Sequence, residues 1–298
     1  MNATPHAPHI EQTGRIGHTV FSIWEPRQRR AGASDVPVVL LHGASSSRRT
    51  WSPLLPALAG RDVIAVDIRG HGDSGFPDGR RNRAEVSLDV AAVLDTLEIG
   101  RAAFLGASLG AALSINLAEQ RPDLAAGLVL EDPPLRAGTE PASFVEEMRE
   151  HLARAAALSP AEVIDDVRKA MPLASDDEVR IVAEDRQRFD VRFTEYGLDW
   201  FLRPWREVFA EVACPITVLA GEPALGSVVT AVEEADCLRL LNAPSRFLRL
   251  PGAGHSIRRD VPAAYHEAVL AALDDIDRAE RGGPDGWPEA GSAVPGKD

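Results

Sequence analysis

The chain has 298 residues, 45% of them hydrophobic, and a formal net charge of −13 from 32 basic and 45 acidic residues. That length suits one large α/β domain or two ordinary ones with a sizeable core, and the acidic balance argues against nucleic acid or an anionic membrane surface as a partner. Two cysteines, Cys214 and Cys237, supply neither a disulfide framework nor a metal-ligand cluster, so both are expected to be small buried hydrophobes.

In chain order, Met1 to Gly14 lacks the apolar core of a secretory signal, and no run approaches the roughly 18 apolar residues of a membrane span. A cytoplasmic protein is the expectation. Thr19 to Trp24 alternates as a strand, with Ile16 in its hairpin partner. Short continuous apolar runs follow at Val38–Leu41, Val63–Val66, Ala102–Leu105, Leu128–Leu130, Ile216–Ala220 and Phe247–Leu250. Such runs predict strands buried on both faces. Between them lie helical patterns at Trp51–Leu58, Ala84–Leu97, Ala111–Arg121 and Pro262–Ile276. Strand–helix alternation predicts right-handed crossovers and a mostly parallel twisted sheet flanked by helices.

The alternation breaks between Pro133 and Phe209, where four helices are predicted: Ala142–Ala157, Pro160–Met171, Asp176–Phe189 and Phe193–Phe209. This reads as a helical cap over the strand ends. The expected organisation is a core in two parts, 1–132 and 209–279, a cap at 133–208, and a Gly/Pro/Ser-rich disordered tail at 280–298.

The chemistry begins at Gly106-Ala107-Ser108-Leu109-Gly110, which joins a predicted strand to a predicted helix. A serine between glycines at such a turn is the signature of a nucleophile elbow. A serine hydroxyl is a poor nucleophile near neutral pH and needs a base, itself oriented by a third group. Of eight histidines, only His255 lies in a Gly-rich loop, Gly252-Ala253-Gly254-His255, just after a late predicted strand. His42 and His71 are read as structural.

These two motifs, with Leu41-His42-Gly43, Trp51 and Asp67-Ile68-Arg69-Gly70-His71-Gly72-Asp73-Ser74, resemble the α/β-hydrolase superfamily from about Val38 to about Ala271. The resemblance implies an α/β-hydrolase fold with a helical cap, Ser108 as nucleophile and His255 as base. It also implies an oxyanion hole formed by the backbone N–H groups of Ala44 and Leu109. Most members carry Gly-x-x-Asp after the strand that here is Ile216–Ala220. This chain has Gly221-Glu222-Pro223-Ala224, with alanine at the acid position. Certain haloalkane dehalogenases and a mycotoxin lactonase instead carry an acid at the end of the preceding strand. A gap-free reading of Leu128-Val129-Leu130-Glu131-Asp132 puts Asp132 there, with Glu131 and Glu222 as alternatives. Trp200, Phe201 and Trp205 line the substrate pocket or fill the cap core.

The expected protein is a serine hydrolase acting on a carboxylic ester or lactone of a largely apolar small molecule, with no cofactor and no metal. A carboxylate nucleophile, needed for dehalogenation, is absent. The alternatives are a lyase or cyclase on the same fold, or a hydrolase-like ligand-binding protein without turnover.

Overall fold

The computed structural model describes residues 9–26, 34–78, 82, 84–135, 146, 149–150, 153–155, 157–172, 174–196, 200–242 and 244–282. Among the described residues, eight strands form one sheet: β1 (His9–Ile16), β2 (Thr19–Pro26), β3 (Val38–Leu41), β4 (Val63–Val66), β5 (Ala102–Ala107), β6 (Ala125–Glu131), β7 (Ile216–Ala220) and β8 (Arg246–Arg249). Their order is β1-β2-β4-β3-β5-β6-β7-β8. The β1/β2 and β2/β4 pairs are antiparallel; the rest run parallel.

The four-residue strand β3 is wholly buried, and its side chains alternate between two cores. Val39 and Leu41 join the cluster containing Val90, Leu113 and Ile115, while Val38 and Leu40 join the one containing Trp51, Tyr265 and Leu273. Period-two alternation between two apolar layers explains why the strand is a continuous apolar run.

Among the described residues the helices with full bounds are α1 (Ala84–Thr96), α2 (Leu109–Gln120), α3 (Pro160–Ala170), α4 (Asp176–Arg188), α5 (Trp205–Glu211), α6 (Ala231–Leu240), the single turn α7 (Ile257–Asp260) and α8 (Pro262–Glu280). Chain order reverses at β3, which lies between β4 and β5. The connections leaving β3 and β5 therefore diverge, and ligand sites of open α/β sheets form in such a crevice at the carboxyl ends of the strands.

Several expectations need correction. The helix at Trp51–Leu58 is a 3₁₀ turn at Arg48–Trp51 followed by further turns. The helix at Phe193–Phe209 is a 3₁₀ turn at Val191–Tyr196 and then α5; Pro204 disfavours helical backbone at Arg203. Helix α6 was not expected, because its apolar residues do not form a buried stripe: Val232 and Leu238 are 64% and 62% exposed. Its signal was the capping box Thr230-x-x-Glu233, whose two reciprocal hydrogen bonds are present. Strand β1 begins at His9, well before Ile16, which is its last residue. The predicted helix Ala142–Ala157 and tail 280–298 lie largely outside the described residues.

No helix among the described residues is long and apolar enough to cross a membrane. The stretch from Glu184 to Asp190, between β6 and β7, packs on loops at the strand ends. Ser47 Oγ donates to Asp185 Oδ2 at 2.8 Å, Arg49 pairs with Glu184 and Asp185, and Asp190 N–H donates to the Gly70 carbonyl at 2.8 Å.

Candidate active site

Ser108 occupies the turn between β5 and α2 with φ 50° and ψ −111°. Positive φ is strained for a residue with a side chain, and the surroundings impose it. A Cβ at Gly106 would overlap the Gly110 carbonyl, and one at Gly110 would overlap the Leu41 carbonyl. Only glycine permits this approach of strand and helix. The turn is fastened by a hydrogen bond from Ser108 N–H to the Glu131 carbonyl at 2.8 Å. Leu109 opens α2, where first-turn N–H groups have no intrahelical acceptor.

His255 joins the serine to an acid. Its Nε2 lies 3.1 Å from Ser108 Oγ and its Nδ1 lies 2.6 Å from Asp132 Oδ2. The carboxylate accepts from Nδ1–H, which leaves the Nε2 lone pair facing the serine hydroxyl. The His255 side chain is 40% exposed, whereas Asp132 is fully buried. Asp132 sits one residue past β6 with φ 41°. Its Oδ1 accepts from Ser227 Oγ at 2.6 Å and, at 3.4 Å, from Gly221 N–H; its Oδ2 also accepts from Val228 N–H at 2.9 Å.

The two alternative acids are occupied elsewhere. Glu131 is fully buried. It accepts from Arg258 N–H at 3.1 Å, pairs with the Arg258 guanidinium at 2.9 Å and accepts from Tyr265 Oη at 3.1 Å. Burial, then the Glu131 charge, pushes the Tyr265 phenol well above its ordinary value. Glu222 accepts from Gly252 N–H at 2.7 Å and so fastens the histidine loop rather than the imidazole.

On the other side of Ser108, a Cβ at Gly43 would lie 3.6 Å from the Ser108 Cβ. His42 fixes this loop. Its Nε2 accepts from Ile68 N–H at 3.0 Å, so Nδ1 carries the proton and donates to the Gly43 carbonyl at 2.8 Å. In a trans peptide the N–H of the next residue, Ala44, then points the opposite way. Burial lowers the His42 imidazole to about 4 and the His71 imidazole to about 3, the latter helped by neighbouring His42; both are neutral spacers. Buried Asp67 receives Arg48 N–H at 2.7 Å and Asp73 N–H at 2.8 Å and pairs with the Arg48 guanidinium. Arg69 clamps Asp89 at 2.6 and 2.8 Å. The Asp67–Ser74 motif is thus architecture beneath the site.

Trp200, Phe201 and Trp205 are 8%, 8% and 1% exposed and sit in the larger core cluster. Trp200 stacks on Phe193 at 5.4 Å, and its carbonyl accepts from Asn116 Nδ2 on α2 at 2.6 Å. They pack into this core rather than against Ser108 or His255. Cys214 and Cys237 are free and buried, and burial pushes both thiols up to about 12. A cavity of about 460 Å³ opens at the opposite ends of the strands. Its arginines, Arg101 and Arg203, are already paired with Glu280 and Glu119, and none of its lining belongs to the Ser108 site.

Sequence reading had singled out Ser108, His255 and Asp132, and the fold brings them together. It missed Ser227 and Val228, the donors behind Asp132; a serine in a polar loop gives no signal until the acid beside it is located.

Comparison with known proteins completes the picture. The model of the alpha/beta hydrolase family matches residues 38–269. The chain is 26% identical over 252 residues to 2-(acetamidomethylene)succinate hydrolase of Mesorhizobium japonicum, covering 80% of this chain and 87% of that one. The crystal structure of E-2-(acetamidomethylene)succinate hydrolase superposes with a TM-score of 0.69 at 24% identity, over 89% of this chain and 99% of the other. Over 100 residues, 33% of this chain, it is 41% identical to the dihydrolipoyllysine-residue acetyltransferase component of the acetoin cleaving system of Pseudomonas putida; it spans only 27% of that protein's length.

Proposed function

Because the chain belongs to the alpha/beta hydrolase family and is an enzyme of that kind, we propose that it is a serine hydrolase cleaving a carboxylic ester or lactone of a small, largely apolar molecule through an acyl-enzyme. The observation that carries this reading is the continuous relay from Ser108 Oγ through His255 to Asp132, at 3.1 and 2.6 Å.

In this reading Ser108 Oγ attacks the carbonyl while Nε2 takes its proton. Asp132 holds the Nδ1–H tautomer and stabilises the imidazolium that forms. The developing oxyanion is met by the N–H groups of Ala44 and Leu109, each worth about 3–4 kcal/mol of barrier. Collapse of the tetrahedral adduct expels the alkoxide, which receives the proton from Nε2. Water, activated by the same imidazole, then releases the acid. The family relative named a hydrolase supports net hydrolysis over elimination or cyclisation. An uncharged substrate is supported by Arg258, which lies three residues after His255 but is turned to Glu131. The segment between β6 and β7 would serve as the cap.

A fluorophosphonate probe tests the proposal. Wild type should label at a single serine, and Ser108→Ala should not. A folded wild type that does not label, and does not hydrolyse a panel of p-nitrophenyl esters and simple lactones, would sink it.

A further inference from the structure

Asp132 is a fully buried carboxylate with an unusual set of partners. Its only ion-pair partner among the described residues is His255; no arginine or lysine touches it. Every other stabilising contact is a dipole, and each comes from the loop between β7 and α6: Ser227 Oγ, Val228 N–H and the distant Gly221 N–H. The torsion that sets a carboxylate's plane is soft and has no sharp rotamer wells. The plane of Asp132 is therefore set by its hydrogen bonds rather than by its own stereochemistry.

The two oxygens are unequally held. Oδ2 is shared by His255 Nδ1–H and Val228 N–H, at 2.6 and 2.9 Å. Oδ1 has one close donor, Ser227 at 2.6 Å. Without it, the remaining contact is Gly221 N–H at 3.4 Å, the far limit of a hydrogen bond. The direction of the serine proton is also fixed. An ionised carboxylate only accepts, and the Ser227 oxygen itself accepts from Val229 N–H at 3.3 Å. Ser227 is 8% exposed, so water competes poorly for either group.

We propose that Ser227 is a positioning residue of the hydrolase, holding the Asp132 carboxylate in the plane that presents Oδ2 to His255. The inference rests on the serine hydrolase reading above. Ser227 lies behind Asp132 as seen from the imidazole, so it acts on the chemical step through Asp132.

The test is a double-mutant cycle on a p-nitrophenyl ester. A lost hydrogen bond to a charged group should lower kcat of Ser227→Ala about tenfold or more, with KM unchanged. Ser227→Thr, which keeps the hydroxyl, should retain kcat. In an Asp132→Asn background Ser227→Ala should cost less than about twofold, because the group it positions is already disabled. Should Ser227→Ala not fold, Ser227→Cys, a weak donor of similar size, replaces it in the cycle. An unchanged kcat for Ser227→Ala, or an equal loss in both backgrounds, would overturn the proposal; the second result would mark a general structural role. If Asp132→Asn itself keeps wild-type kcat, the assignment of the acid falls and this inference with it. If Asp132→Asn is inactive but Ser227→Ala keeps wild-type kcat, this inference alone falls.

Discussion

Two carboxylates one residue apart divide the end of β6 into regions with opposite chemistry. Glu131 continues the strand's alternation, following Val129 into the core layer with Trp51 and Tyr265, and meets a full positive charge on Arg258. Asp132 leaves the strand with φ 41° and meets only dipoles and one imidazole. A charge already neutralised by a buried guanidinium has little left to give to a forming imidazolium. The Asp132 charge, held by weaker dipoles, remains available. In the proposed mechanism the better-paired residue is architectural, and the residue lacking a cation is the one that serves His255.

The sharpest way to break this comparison is to neutralise each acid isosterically. Asp132→Asn should lower kcat on a model ester by about 10⁴, because the amide no longer favours the tautomer with the proton on Nδ1, at a stability cost of about 1–3 kcal/mol for the neutral donors left facing an NH2 group. Activity retained near wild type would refute the assignment.

Glu131→Gln should do the reverse. Removing one partner of a buried ion pair costs about 3–5 kcal/mol of stability by stranding the other, here Arg258. Activity per folded molecule should stay within about tenfold, since the Ser108 turn is fastened by the Glu131 backbone carbonyl and not by its side chain. Glu131→Gln combined with Arg258→Met should recover much of the lost stability. Urea midpoints for the three variants settle the matter; a stable but inactive Glu131→Gln would erase the distinction.

Both acids were visible in the sequence as candidates, Asp132 favoured and Glu131 left as an alternative, and the reason the choice stayed open is physical. The parallel strands were legible because burial on two faces makes each a short continuous apolar run. Ser108 and His255 were legible because glycine punctuation marks the turns that present them. Which of Glu131, Asp132 and Glu222 serves His255 depends on where β6 stops alternating, and one residue of difference reverses the face. The segment at 191–211 misled for a related reason: Phe193, Trp200 and Trp205 are apolar and evenly enough spaced to suggest one helix. They are instead carried by a 3₁₀ turn, an irregular stretch pinned by Asn116, and a short helix.

The histidines sharpen the same division. His255 is partly exposed and hydrogen-bonded to an acid, whereas burial holds His42 near 4 and His71 near 3. Both are neutral in the fold, but the unfolded chain takes up protons below about 6.5. Their contribution is therefore absent above that pH, and stability falls as pH drops from about 6.5 towards 4. The slope is about 1.4 kcal/mol per pH unit for each buried imidazole. Melting temperatures from pH 7.5 to 5 should decline steadily; a flat profile would mean that both rings accept a proton in the folded state.

The smallest effect belongs to the third acid. Glu222 lies in the loop where an acid for His255 had been an alternative, yet its side chain reaches the Gly252 N–H. Gln at 222 keeps an oxygen acceptor of nearly the same shape, so the loss is the charge-assisted part of one partly exposed hydrogen bond, about 1 kcal/mol or less. Glu222→Gln should hold kcat within about threefold, even though it sits on the loop that fastens the histidine turn. A thousandfold loss in Glu222→Gln with an active Asp132→Asn would move the relay from the end of β6 to the end of β7. The matched pair of variants therefore decides between two strands, because each carboxylate has its own partner, Gly252 N–H or His255, and neither substitution changes side-chain volume appreciably.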